Sequence, residues 1–202
     1  MESLWANSAF AEPHIVLRLK LLPYSPGHEI NLCAINSPFV TGAEGRLDDF
    51  FTAVLLCAHS FEEGQKLIRR PNKVRSFCWL WGLLLRIGWK PDMFHVELSR
   101  FRGYLSTGSW SPDTNRVVSR HVQMRTLKAP RVWRLVPFLC EHLGLTESQA
   151  LNFPIARANA YYAAMADKAG DIDLIGEDDT ALLDYLKKIE AQEAQKEKPW
   201  DS

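Results

Sequence analysis

Helix punctuation is densest in residues 129–170 (APRVWRLVPFLCEHLGLTESQALNFPIARANAYYAAMADKAG), and that stretch constrains the fold more than any other. An apolar-periodic run ends at Glu141, His142 and Leu143, and Gly144 follows it. Glycine at that place accepts the left-handed conformation that closes a helix. Thr146-Glu147-Ser148-Gln149 then has the form of a capping box. The threonine hydroxyl accepts from the amide three residues on, and the glutamine side chain reaches back. Pro154 ends the short helix so started and suits the first position of the next. The next helix is predicted to carry Ile155, Ala158, Tyr162, Met165, Ala166 and Ala169 on one stripe and to stop at Gly170. Three helices with tight connections result.

The segment LCEHLGLTESQAL also has the outline of a helix-turn-helix. A DNA reader of that kind offers exposed polar side chains from its second helix to base edges. Glu147, Ser148, Gln149 and Asn152 are the candidates here, and Pro154 limits that helix to about two turns. The plainer reading is a helical hairpin within a core, because a capped glycine turn is ordinary helix chemistry.

At 202 residues and 47% hydrophobic, the chain is long and apolar enough to bury a core of its own. Its formal charge is zero, but the charges are segregated. Residues 1–63 hold 3 basic and 8 acidic side chains, residues 64–134 hold 15 and 3, and residues 135–202 hold 6 and 13. A basic middle third flanked by acidic ends implies either an interaction surface or mutual neutralisation of the parts.

The four cysteines, Cys33, Cys57, Cys78 and Cys140, lie far apart with no C-x-x-C. They read as small buried hydrophobes of a reducing compartment. The first residues include Glu2 and Glu12 and no apolar core of signal-peptide length. The longest apolar run, residues 77–85, falls far short of the ~20 residues that a membrane span needs. A cytoplasmic protein without a membrane partner is expected.

In chain order, residues 1–13 read as a loose N-terminal arm, and residues 14–22 as one short β element or a helical turn with no evident strand partner. Pro23-Tyr24-Ser25-Pro26-Gly27 is a turn signal, followed by a short helix over 28–35 and a loop over 36–42. Residues 47–61 predict a helix with Phe50, Val54, Ala58 and Phe61 on one face, widened by Phe51 and Leu55. Gly64 interrupts. Residues 73–88 predict a helix that is apolar on nearly all sides, through Phe77, Trp79, Leu80, Trp81, Leu83, Leu84, Leu85 and Ile87. A helix of that kind is buried or shared with a partner. Residues 93–105 carry the stripe Phe94, Leu98, Phe101 and Leu105. Residues 106–128 read as a long connection, residues 171–176 as a polar link, and residues 191–202 as a solvated tail. Before that tail, Ala181, Leu182, Tyr185, Leu186 and Ile189 give a last amphipathic segment. The expected fold class is all-α, one multi-helix domain over 14–190, with a single short β element near 14–22.

Catalytic signatures are missing from the sequence. The six histidines (His14, His28, His59, His95, His121, His142) are scattered, with no H-E-x-x-H and no His/Cys pair at ligand spacing. No phosphate loop, G-x-S-x-G or G-x-G-x-x-G occurs. Glu62-Glu63 reads as solvated or dipole-capping. A non-enzyme without metal or organic cofactor is expected. Two candidate partner-binding sets remain. One is basic: Arg69, Arg70, Lys73, Arg75, Arg116, Arg120, Arg125, Lys128, Arg131 and Arg134. The other is the apolar side of the last segment, Leu182, Tyr185, Leu186 and Ile189.

The segment LRLKLLPYSPGHEINLCAINSPFVTG with the following LDDFFTAVLLCAHSFEE, and the later WRLVPFLCEHLGLTESQALNFPIARANAYYAAMADKAGDIDL, resembles small helical tail assembly chaperones of tailed phages and prophages. The resemblance spans residues 15–60 and 130–175. It carries no individual residue over to a role. It implies a non-enzymatic protein of the host bacterial cytoplasm that binds the tape measure protein before the tail tube polymerises. Self-association is a separate expected mode. A nucleic-acid binder using the basic middle third is the alternative.

Overall fold

Residues 14–22 find their strand partner within themselves. Strands β1 (Ile15–Val16) and β2 (Leu19–Lys20) pair antiparallel, Ile15 with Lys20 and Val16 with Leu19. The two residues between them turn at positive φ, Leu17 at 51° and Arg18 at 58°. A two-residue hairpin turn of the primed kind requires this backbone, and usually recruits Asn-Gly or Gly-Gly. Leucine and arginine carry no such signal, which is why the sequence showed a strand without a mate. The leucine side chain is buried in the core, and the Leu17 N–H donates to the buried Glu97 carboxylate at 2.7 Å.

The computed structural model describes residues 14–87, 91–112, 114–116, 131–169 and 172–174. Nine helices make up most of them: α1 (Pro26–Ala34), α2 (Pro38–Thr41), α3 (Leu47–Cys57), α4 (Phe61–Ile68), α5 (Pro71–Ile87), α6 (Pro91–Gly108), α7 (Arg131–Leu143), α8 (Glu147–Leu151) and α9 (Ile155–Ala169). The all-α class expected from the periodicity therefore holds. One β element is present in addition to the hairpin, as a separate two-stranded sheet. Strand β3 (Thr114–Arg116) pairs antiparallel with β4 (Ile172–Leu174), which joins two stretches read as a long connection and a polar link. Three-residue strands are too short to display alternation. The proposed arm at 1–13, the segment 181–189 and the tail at 191–202 lie outside the described residues.

Local chemistry sets most helix ends. Helix α1 begins two residues before the expected start, because Ser25 caps it and Pro26 occupies its first turn, where proline loses no hydrogen bond. The expected helix over 47–61 is divided at Ser60, whose hydroxyl accepts from the Glu63 N–H while the Glu63 side chain accepts from the Ser60 N–H. That capping box starts α4, so Gly64 lies inside a helix and does not interrupt one. The box at Thr146 and Gln149 and the left-handed Gly144, with φ of 64°, form as read. On α9 the buried residues are Ile155, Ala156, Ala158, Asn159, Ala160 and Ala163, so Ile155 and Ala158 of the expected stripe lie inside, whereas Tyr162 and Met165 are exposed. The small side chains allow close packing inward, and Asn159 Nδ2 donates to the Trp110 carbonyl at 2.7 Å.

Helix α1 is the hub. It packs against α2, α3, α4, α7 and α8, placing Leu32 in contact with the shared core. Phe50, Phe51 and Leu56 of α3, Phe101 and Tyr104 of α6, and Leu139 of α7 are fully or almost fully buried there. Each such side chain contributes about 1.5–3 kcal/mol by leaving water. Edge-on rings tie the layers together, Phe39 to Phe101 at 5.0 Å and Phe50 to Phe94 at 5.5 Å between centroids. Of the buried polar side chains among the described residues, Ser37 Oγ has no hydrogen-bond partner, whereas His28 is held at both ring nitrogens. His28 Nδ1 accepts from the Ser25 N–H at 3.1 Å, which places its proton on Nε2, and Nε2 donates to the His59 carbonyl at 2.9 Å.

Candidate partner-binding surface

Among the described residues, helix α5 carries apolar side chains that the core does not take up, as does α9 with Tyr161, Tyr162 and Met165. Helix α5 lies on α3 and α4 and turns Val74, Phe77, Cys78 and Trp81 inward. Trp81 is 9% exposed and its ring lies 6.4 Å from that of Phe51. Cys78 Sγ sits 3.6 Å from Thr52 Oγ1. The remaining faces point to solvent: Trp79 is 69% exposed, Leu80 48% and Leu84 42%. Of Phe77, Leu80, Trp81 and Leu84, expected in the core or in a subunit contact, Phe77 and Trp81 pack on the core, and Leu80 and Leu84 are outside it, which leaves only the contact for them. A helix packed along one side covers roughly a third of its circumference, and residues at 100° steps beyond that arc remain outside.

A cavity of about 410 Å³ runs beside this outer face, between Asp48 and Thr52 of α3 and Arg75, Trp79, Gly82 and Leu83 of α5. A second hollow of about 530 Å³ lies on the other flank of Trp79, against Arg75, Ser76 and Leu80. The indole thus stands as a ridge between two depressions.

The structure divides the basic set. Arg69 and Arg70 close α4, Lys73 and Arg75 occupy the first turns of α5, and all four are exposed. Arg134 is exposed on α7, which packs on α1 and α8, so it belongs to a different part of the fold. Arg116 is in β3 and Arg131 opens α7. Arg120, Arg125 and Lys128 fall outside the described residues, as do Leu182, Tyr185, Leu186 and Ile189.

In the helix-turn-helix outline, α8 is five residues long and buries Ala150 and Leu151. Of the four candidates for reading bases, Ser148, Gln149 and Asn152 have side-chain partners within the chain. Gln149 completes the cap with Thr146. The Ser148 hydroxyl donates to Glu62, and Asn152 Nδ2 donates to the same carboxylate at 3.2 Å. These bonds, the serine hydroxyl foremost, hold the Glu62 carboxyl below the usual range. Of the paired acids, Glu63 is thus a helix cap and Glu62 a tie between α4 and α8.

The other chemically capable residues are dispersed. His28 is a buried helix cap, His59 Nδ1 contacts the Leu55 carbonyl at 2.8 Å, and His142 lies beside Phe138. Among the described residues no three His, Cys, Asp or Glu side chains converge as a metal site would require. All four cysteines are free thiols. Burial pushes the Cys57 thiol up to about 12, far from the thiolate form that reacts. Cys33 is exposed, contrary to the expectation that all four are core residues, because it lies on the solvent side of α1.

The signal for the α5 surface was present in the sequence, as an apolar run with no polar side and a glycine in its middle. What it lacked was the identity of the side that faces inward. No helix among the described residues is long and apolar enough to cross a membrane. No protein-family model matches the chain, and no curated protein and no solved structure matches it.

Proposed function

We propose that this chain is a non-enzymatic assembly chaperone of tail morphogenesis in a phage or prophage, acting in the host cytoplasm to cover apolar helices of the tape measure protein until the tail tube polymerises. The observation that carries the reading is the outer face of α5. Trp79, Leu80 and Leu84 form an exposed apolar surface on a packed scaffold, with a hollow on each flank of the indole. A surface of this kind marks a protein contact, and an amphipathic helix is the simplest element to fill such a groove. The resemblance of residues 15–60 and 130–175 to tail assembly chaperones supplies the partner. Co-expression with the tape measure protein of the same genome tests it. The expected outcome is that the tape measure protein moves from the insoluble to the soluble fraction and co-purifies with this chain. A tape measure protein equally insoluble with and without the chain overturns the reading.

The exposed cluster Arg69, Arg70, Lys73 and Arg75 favours a second reading, a nucleic-acid binder. Affinity for duplex DNA would then fall steeply with added salt and vanish on charge reversal at these four positions. Absence of DNA binding at low salt removes it.

A further inference from the structure

We propose that the outer face of α5 takes an acidic amphipathic helix, seated over Gly82 between the Trp79 ridge and α3, with its carboxylates against Arg75 and the basic cluster at 69–73. This rests on the chaperone reading for the partner being a helix, and adds the partner's chemistry. The first support is Gly82. Glycine inside a helix costs about 1 kcal/mol relative to alanine. A methyl group there would meet nothing within 4 Å, so packing within the described chain gives no reason for a glycine. Close approach by a foreign backbone gives one, and Gly82 lies in the floor of the hollow beside α3. The second support is spacing. Arg75, Trp79, Gly82 and Leu83 stand at i, i+4, i+7 and i+8, a continuous row along one side of the helix, as ridges-into-grooves packing uses.

The third support is charge. Arg69, Arg70, Lys73 and Arg75 are exposed, and none of them is in an ion pair with a described residue. The lining of the hollow includes one carboxylate, Asp48. This field favours a partner flanked by Asp and Glu and opposes one flanked by Lys and Arg. It also decides against a second copy of the chain. A two-fold dimer brings the same patch of each subunit to the interface, which would set each cluster of four cations near its own copy.

The test uses the full chain and two fluorescein-labelled synthetic helices of about 20 residues. Both carry leucine at i, i+3, i+4 and i+7; one has glutamate on its flanks and the other lysine. Fluorescence anisotropy is expected to show the glutamate peptide binding at least about tenfold more tightly at low salt, with the preference shrinking as salt screens the charges. Gly82→Leu, which fills the hollow, and Arg75→Glu should each weaken that binding about tenfold or more, with the thermal melt of Arg75→Glu unchanged and that of Gly82→Leu no lower than that of the unaltered chain. Equal affinity for the two peptides overturns the proposal. So does binding that survives both variants, or tighter binding of duplex DNA that competes the acidic peptide away. Sedimentation showing a dimer that Trp79→Ala converts to monomer assigns the face to a second copy and equally overturns it. The same variants in the co-expression assay separate this claim from the chaperone reading. Solubilisation of the tape measure protein that survives Gly82→Leu and Arg75→Glu keeps the chaperone and removes this face. Failure of the unaltered chain to solubilise it, with the peptide preference intact, does the reverse.

Discussion

The carboxylate of Glu97, on α6, accepts the backbone N–H of Leu17 at 2.7 Å across a separation of 80 residues. Its second oxygen accepts from Arg100 at 2.7 Å. Leu17 is in the left-handed region, where its amide has turned away from the hairpin ladder, so this side chain supplies the bond that the strand cannot.

Glu97→Ala should therefore destabilise the protein by about 1–3 kcal/mol, the cost of orphaning a buried donor. Urea unfolding measures it. A loss below about 0.5 kcal/mol would mean that water reaches the Leu17 amide in place of the carboxylate.

Acid should weaken the fold through His28. Burial lowers its pKa from 6.5 to about 4 in the folded protein. The folded state then binds fewer protons than the unfolded state between those values, so stability is full above about 6.5 and falls as pH drops toward 4. The shift corresponds to on the order of 3 kcal/mol. Urea midpoints at pH 7 and pH 5 should differ more in the wild type than in His28→Gln, whose side chain does not titrate. Identical pH dependence in the two proteins would show that the imidazole reaches solvent.

Two glycines in helices should respond to alanine with opposite signs. A methyl at Gly64 lands on the side-chain amide of Asn31, which donates to the Phe61 carbonyl at 3.2 Å. Gly64→Ala should cost about 1–3 kcal/mol. Gly82→Ala meets open space and should add about 0.5–1 kcal/mol. Thermal melts of both variants decide it, and a destabilised Gly82→Ala would reveal a contact across the hollow.

Truncating the outer face of α5 should hardly affect stability. Trp79→Ala should change it by about 0.5 kcal/mol or less, as for ordinary surface positions. Leu139→Ala, at a fully buried position, should cost about 2–5 kcal/mol. A Trp79→Ala loss of the same size as that of Leu139→Ala would place the indole in the core and remove the basis for a binding face.

What the sequence determined by itself is local. Gly144, the Thr146–Gln149 box and the helical periods set the fold class and several helix ends, because each depends on hydrogen bonds between residues near one another along the chain, the longest being Leu145 N–H to the Leu139 carbonyl across Gly144. The Ser60–Glu63 box was equally legible and shows where the continuous helix over 47–61 had to divide. Tertiary structure decided which faces are inside. Helix α5 offers apolar residues in nearly every direction, and only the positions of α3 and α4 selected Val74, Phe77, Cys78 and Trp81 over Trp79, Leu80 and Leu84. The same holds for α9, where alanines pack inward and Tyr162 stays outside, and for the turn at Leu17 and Arg18, held by a carboxylate from another helix. Burial is a competition among surfaces for a finite core, and its outcome depends on neighbours that are distant along the chain.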